Sequence, residues 1–268
     1  MQALRHFLLA VQFFTRIPIT GRLADWVGFS PAMLRASSAH FPGVGWIVAA
    51  AATASYGALA LLLAPSPWAS AVAAVGCTVV TVLLTGGFHE DGLADVADGL
   101  GGSADTERAL DIMKDSRIGA YGTLALVLAL LAKVVLLALL GSHSLAAALT
   151  ALAGAHVLSR LWPLCIVRSL PHVGDTARSK SKPLADQISP GALAAAVLWC
   201  FPALALVQQS PAAIFLGAGV VASMVAAWRM QRLFARRLGG FTGDCLGATQ
   251  QVGEIAFYLG AALTLGAL

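Results

Sequence analysis

The sequence predicts an all-α, polytopic integral membrane protein: one helical bundle of about seven transmembrane helices, preceded by an N-terminal amphipathic helix at the membrane surface. Three observations carry this prediction. Charged residues make up 11% of the 268 positions, about half of the roughly 25% with which a soluble domain covers its surface. Mean hydropathy is +0.80, and hydrophobic types reach 58%. Apolar runs near the ~20 residues needed to cross a bilayer recur along the whole chain, separated by short polar connections.

Taken in order, the first stretch, Met1 to Pro18, is apolar but broken by Arg5, His6 and Arg16. It lacks a small-residue cleavage site after a clean apolar core, so it reads as an interfacial helix and not as a cleaved leader. Seven runs of span length follow, over 41–63, 68–87, 120–140, 145–165, 191–207, 212–228 and 252–268, the last three being shorter. Their Ala, Gly, Leu and Val suit close packing of helices in lipid. No internal repeat divides the chain, and 1–268 is read as a single membrane catalytic domain.

The connections 64–67, 141–144 and 208–211 contain no Lys, Arg, Asp or Glu, whereas the alternate ones hold the basic residues. Among the latter are Arg108, Lys114 and Arg117, then Arg168, Arg178, Lys180 and Lys182, then Arg229, Arg232, Arg236 and Arg237. The positive-inside rule then places the N-terminus and every basic loop in the cytoplasm and the C-terminus outside. The net charge of +4 therefore reflects membrane loops, not a nucleic-acid surface. Of the four cysteines, Cys77, Cys165 and Cys200 lie in apolar runs, Cys245 stands apart, and no CxxC pair occurs. They read as small buried hydrophobes, with zinc and a disulfide framework disfavoured.

Candidate chemistry gathers on the one charged face. In Gly86-Gly87-Phe88-His89-Glu90-Asp91-Gly92-Leu93-Ala94-Asp95-Val96-Ala97-Asp98-Gly99, a helix places Asp91, Asp95 and Asp98 on one side at i, i+4 and i+7. Three carboxylates with no Cys beside them suit a hard ion, Mg²⁺ or Mn²⁺. Glu90 is a further ligand candidate, His89 a proton acceptor or an orienting group, and Gly92 and Gly99 are expected to leave room for a phosphate. A second segment ends in Lys114-Asp115-Ser116-Arg117-Ile118-Gly119, where two cations suit phosphate binding; a solvated amphipathic helix competes with that reading. The third cluster, Gly239 to Gly247, runs on to Gln251 and to Glu254, a further candidate at the substrate phosphates. Asp244 is expected to close the metal site, with Gly243 and Gly247 at a helix N-terminus open to phosphate. Arg160, inside a span, is the remaining phosphate candidate; Lys133 has no evident role.

These motifs resemble the cobalamin synthase family, adenosylcobinamide-GDP ribazoletransferases. The resemblance runs over essentially the whole chain. It rests on Phe14-Thr15-Arg16-Ile17-Pro18, His40-Phe41-Pro42-Gly43-Val44-Gly45, the acidic segment from Gly87 to Gly99, Met113 to Gly119, and Phe241-Thr242-Gly243-Asp244 with Gly247. It implies the last assembly step of adenosylcobalamin: α-ribazole or its 5′-phosphate joins adenosylcobinamide-GDP, GMP leaves, and Mg²⁺ is required. Together with the charge pattern, this reads as a cytoplasmic-membrane enzyme with its active site facing the cytoplasm, surrounded by lipid, with no nucleic-acid partner; a homo-oligomer is compatible. Asp91-Gly92 followed by Ala94 is also similar to the Asp-Gly-x-x-Ala-Arg motif of CDP-alcohol phosphatidyltransferases. Here the Ala comes one place early and is followed by Asp95 instead of the motif's Arg, which favours the shared metal–diphosphate chemistry over that substrate class. A transporter is the rival of another kind; it needs polar groups across the bilayer, and here they stop at one side.

Overall fold

The computed structural model describes residues 1–174, 188–209 and 213–265. Arg178, Lys180 and Lys182, and the last residues of the final predicted span, lie outside the described residues. Among the described residues every regular element is a helix, and one isolated bridge joins His172 and Phe241. In chain order the helices are α1 (Gln2–Phe14), α2 (Gly21–Val27), α3 (Pro31–Ser37), a 3₁₀ turn (Ser38–His40), α4 (Phe41–Leu62), α5 (Ala69–Thr85), α6 (Phe88–Gly102), α7 (Thr106–Met113), α8 (Ala120–His143), α9 (Leu145–Leu158), α10 (Trp162–Ser169), α11 (Pro190–Gln209), α12 (Ala213–Arg237) and α13 (Gly243–Thr264).

Local chemistry sets the boundaries. Ser30, Asp105 and Ser144 each accept a backbone N–H of the following turn, opening α3, α7 and α9 as side-chain oxygens at N-caps do. α5 ends on Gly86 in the left-handed region, the commonest helix stop.

Four segments are long and apolar enough to cross a membrane: Pro31–Leu62, Ala120–His143, Leu145–Ser169 and Pro190–Gln209. α5 joined to α6 makes a fifth, as a pair bent by 89°. Each of the seven predicted runs falls on a helix, but α13 is not apolar enough to join these. α12 carries Arg229, Arg232, Arg236 and Arg237, and α13 carries Asp244, Gln250, Gln251 and Glu254. In α13 most of that polarity faces protein, because Gln250, Gln251 and Glu254 are all buried. We take α5 as the crossing and α6 as running along the membrane surface, since a helix at a right angle to a crossing one lies parallel to the bilayer. Leu83, Leu128, Val135 and Leu198 are exposed on the outward faces of their helices, as lipid-facing residues are.

α13 is the centre of the bundle, packed on α12, α6, α8, α9 and α10. α4 packs on α5 and α9, and the Tyr56 hydroxyl donates to the Leu137 carbonyl at 3.1 Å, tying α4 to α8. α1 buries Leu9, Ala10, Val11 and Phe14 and packs on α3 and α4, leaving Met1 and Leu4 exposed. The four cysteine thiols are free, three of them buried.

Candidate active site

The site begins at a turn. Gly86 and Gly87 both have φ of +70°, a conformation that costs L-residues about 1–2 kcal/mol. Two in succession swing the chain from α5 into α6 within two residues. A side chain at Gly86 would also run into the guanidinium of Arg16, which lies against the turn; the Arg16 backbone N–H is anchored to the Leu84 carbonyl at 2.7 Å.

The turn opens a cavity of about 860 Å³. One wall is the acidic side of α6, with Glu90, Asp91 and Asp95. The others are the end of α1 (Gln12, Phe13, Thr15, Arg16) and the segment from Met113 to Ile118, which brings Lys114, Asp115 and Ser116. The structure thus joins two of the three predicted clusters around one space. It adds Arg16, which none of the predicted clusters contained. Its signal was its place in Phe14-Thr15-Arg16-Ile17-Pro18.

α6 is held by α13 through two glycines. A Cβ on Gly92 would sit 2.8 Å from the Asp244 carbonyl oxygen and 3.1 Å from its Cα, and one on Gly247 would meet the His89 backbone at 3.3 Å. Gly92 and Gly247 are therefore the close-approach points of a helix crossing. Gly99 likewise packs on Ala109 and Met113 of α7. The space these glycines were expected to leave for phosphate is filled by neighbouring helices.

The crossing carries Asp244 up to the acidic face. Thr242 caps α13, accepting the Cys245 N–H at 3.4 Å, and its hydroxyl donates to Asp244 Oδ2 at 3.3 Å; Gly243 is the first helical residue. Burial, and then the like charges of Asp244, Asp91 and Asp98, push the Asp95 carboxyl up to about 7. Burial also raises Asp244; the Thr242 hydroxyl partly offsets this, and nearby Asp91 adds to it.

Asp98 has a different occupation. Its oxygens accept the backbone N–H groups of Gly119 at 2.7 Å and Gly122 at 2.8 Å, so it caps α8 from across the bundle, and both glycines lie against its carboxylate. Of the paired Asp115 and Arg117, Asp115 lines the cavity, whereas Arg117 grips it bidentately from outside, at 2.6 Å at the closest. That grip holds the Asp115 carboxyl down to about 2. Lys114 stands 3.8 Å from Asp111.

The remaining candidates are buried away from the cavity. His89, 2% exposed, stacks on Phe41 with ring centroids 5.7 Å apart, and its Nε2 has no partner among the described residues. Arg160 is also buried: its Nη1 donates to the His156 carbonyl at 2.6 Å and its guanidinium lies over the Phe41 ring. Glu254 receives Lys133 Nζ at 2.6 Å, both side chains being nearly inaccessible, and also the Tyr258 hydroxyl and the Gln250 amide. Arg160 and Glu254, expected at substrate phosphates, thus belong to an internal polar network, and Lys133 finds there the partner the sequence did not reveal.

Among the described residues no three His, Cys, Asp or Glu side chains form a ready metal cage. The carboxylates on the cavity wall nevertheless repel one another, and one or two such groups completed by phosphate oxygens and water are how proteins usually hold Mg²⁺. The donor set fits a hard divalent ion brought in with a diphosphate.

Comparison with known proteins gives the same direction. The family model described as cobalamin-5-phosphate synthase matches residues 6–262. A protein of Polaromonas naphthalenivorans named adenosylcobinamide-GDP ribazoletransferase is 61% identical over 277 residues, covering 99% of this chain and 100% of its own. One of the same name from Albidiferax ferrireducens is 61% identical over 279 residues, covering 98% and 99%, and one from Vibrio cholerae is 41% identical, covering 94% and 91%. No solved structure matches the chain. With a family model spanning nearly its whole length, and relatives matched end to end, the chain belongs to the cobalamin-5-phosphate synthase family.

Proposed function

We infer that the protein is an adenosylcobinamide-GDP ribazoletransferase, catalysing the final assembly step of adenosylcobalamin. A ribose hydroxyl of α-ribazole, or of its 5′-phosphate, attacks the phosphorus on the cobinamide side of the diphosphate. A new P–O bond to the ribose forms, the phosphoanhydride P–O bond breaks, GMP carries away the electron pair, and the hydroxyl proton is released. The observation that carries this reading is the single cavity in which Asp91 and Asp95 face Arg16 and Lys114. Such a pairing of acids and cations suits a diphosphate with its counter-ion.

Mg²⁺ is the proposed cofactor. It would be held by Asp91 and Asp95, with Asp244 close behind them, and would supply charge neutralisation at the phosphates. Arg16 and Lys114 hold the phosphate oxygens from the opposite walls. Asp98 fixes the start of α8, and the Asp115–Arg117 pair shapes the loop that carries Lys114. Catalysis is then chiefly positioning.

The charge pattern supports a multi-pass protein of the cytoplasmic membrane whose cavity opens to the cytoplasm. Cysteines placed at Ser66 and Ser142 are expected to label from outside and one at Ser103 from inside; external labelling at Ser103 would reverse the orientation. The activity itself is tested with purified protein in lipid, given adenosylcobinamide-GDP, α-ribazole and Mg²⁺. Release of GMP with formation of the joined product is expected. CMP release from CDP-diacylglycerol, or flux of a corrinoid across proteoliposomes with no nucleotide product, would replace this reading.

A further inference from the structure

Glu90 is the one acid of the cavity wall that is almost fully enclosed, at 9% exposure, and its two oxygens are treated differently. Oε1 accepts the Gln251 amide N–H at 3.0 Å. Oε2 is buried with no partner among the described residues. A buried carboxylate oxygen left unsatisfied is costly, and this one belongs to a side chain that lines the cavity.

A chain of amides decides which oxygen stays unpaired. The Gln250 amide nitrogen donates to Glu254 Oε2 at 2.8 Å and to Ser159 Oγ at 3.0 Å. It cannot turn over, because its carbonyl would then face the Glu254 carboxylate. Its carbonyl oxygen is thereby presented to Gln251, whose amide nitrogen donates to it at 3.0 Å and spends its other N–H on Glu90 Oε1. At the far end Glu254 is fixed by Lys133 at 2.6 Å and by the Tyr258 hydroxyl at 3.2 Å. The polarity of the whole row, from an ion pair deep in the bundle to the cavity wall, is set in one direction. It ends by occupying Oε1 and leaving Oε2.

We propose that Glu90 Oε2 accepts a hydrogen bond from the attacking ribose hydroxyl of the nucleophilic substrate, and that Gln251 is the positioning residue that aims it. A carboxylate oxygen takes a donor and repels phosphate, so the partner is a hydroxyl and not the diphosphate. The inference rests on the ribazole-transfer reading and adds to it the place where the nucleophile is held.

The test compares wild type with Gln251→Leu and with the near-isosteric Glu90→Gln, which keeps the proposal testable should the buried Leu disturb folding. KM for α-ribazole, KM for adenosylcobinamide-GDP and the apparent Mg²⁺ affinity are measured for each. In addition, Ki is measured for an α-ribazole analogue lacking the attacking hydroxyl. Losing a hydrogen bond to a charged group is expected to raise KM for α-ribazole about 10- to 100-fold, or to lower turnover by as much. The KM for adenosylcobinamide-GDP, the Mg²⁺ affinity and the Ki of the analogue should stay within about twofold, a separation that a general structural defect would not produce. Equal losses for both substrates, weakened analogue binding, a shifted Mg²⁺ requirement or unchanged kinetics would each overturn the proposal. Absence of GMP release by the wild type would instead overturn the activity on which it rests.

Discussion

The Lys133–Glu254 pair offers the sharpest quantitative test of how this bundle is held together. Its atoms are 2.6 Å apart, and the side chains are 2% and 1% exposed. Replacing Lys133 with Met keeps the volume and removes the charge. Glu254 then retains the Tyr258 and Gln250 hydrogen bonds but has lost its nearest counter-ion. Breaking a buried pair from one side typically costs 3–5 kcal/mol. The stranded charge can be relieved by one proton, taken by the carboxyl itself or by His156, whose Nδ1 lies 3.5 Å from Glu254 Oε2. For an ordinary carboxyl at pH 7 that costs about 3–4 kcal/mol at 1.36 kcal/mol per pH unit, so the loss should level off near that figure and shrink at acid pH. Glu254→Gln alone strands the ammonium and should cost about as much. The double variant Lys133→Met/Glu254→Gln removes both charges and should recover most of the loss. Thermal unfolding in detergent reads this directly: 1 kcal/mol moves the midpoint by roughly 2–4 °C in a chain of this size, so each single variant should melt about 10 °C lower. A Lys133→Met protein melting within 2 °C of wild type, or a double variant as damaged as the two singles combined, would refute the reasoning.

Other consequences can be checked alongside. The Asp95 carboxyl is raised to about 7 from an ordinary 3.8, so between these values the native protein binds more protons than the unfolded one. Without divalent cation its melting point should therefore fall as pH rises from 5 to 8, and Asp95→Asn should flatten the slope; an unchanged slope would count against it. Gly92→Ala puts a Cβ 2.8 Å from the Asp244 carbonyl oxygen, a backbone atom that cannot swing aside. It should cost about 1–3 kcal/mol and most activity, visible in paired melting and GMP-release assays. Gly86→Ala strains a residue at φ +70° and displaces Arg16; raised KM for adenosylcobinamide-GDP is expected, and normal KM would remove Arg16 from the site. Asp98→Ala strips α8 of two N-terminal acceptors and should destabilise by about 0.5–2 kcal/mol, as cap losses do, without weakening Mg²⁺. A large Mg²⁺ effect would make Asp98 a ligand instead of a cap.

Much of the architecture was legible because lipid imposes a simple grammar on sequence: apolar runs must be helices, and charges mark their ends. α4, α5, α8 and α11 fall close to their predicted runs. The acidic stripe of α6 was legible for a similar reason, since spacing along a helix fixes which residues share a face. Relations between helices were not. Nothing local to Lys133 points to Glu254, and nothing local to Asp98 points to the N–H groups of α8. Gly92 and Gly247 looked like room for a ligand because a missing side chain reads the same whether a phosphate or another backbone fills the gap. α13 showed the limit of hydropathy itself: a helix buried among others keeps polar residues that lipid would not tolerate.

The lysine of α8 also bears on how the protein is made. Lys133 and Glu254 are 121 positions apart by subtraction, so at about 5–20 residues per second the lysine is synthesised roughly 6–24 s before its partner. During that interval α8 enters the bilayer with an uncompensated ammonium near its middle, worth about 2.5–3.5 kcal/mol against insertion. α8 is the most apolar of the four spans, and its nine Leu and three Val return about 4–7 kcal/mol on the same scale. The excess hydrophobicity of this helix is thus a provision for biogenesis, carrying a charge into the membrane ahead of the helix that will neutralise it.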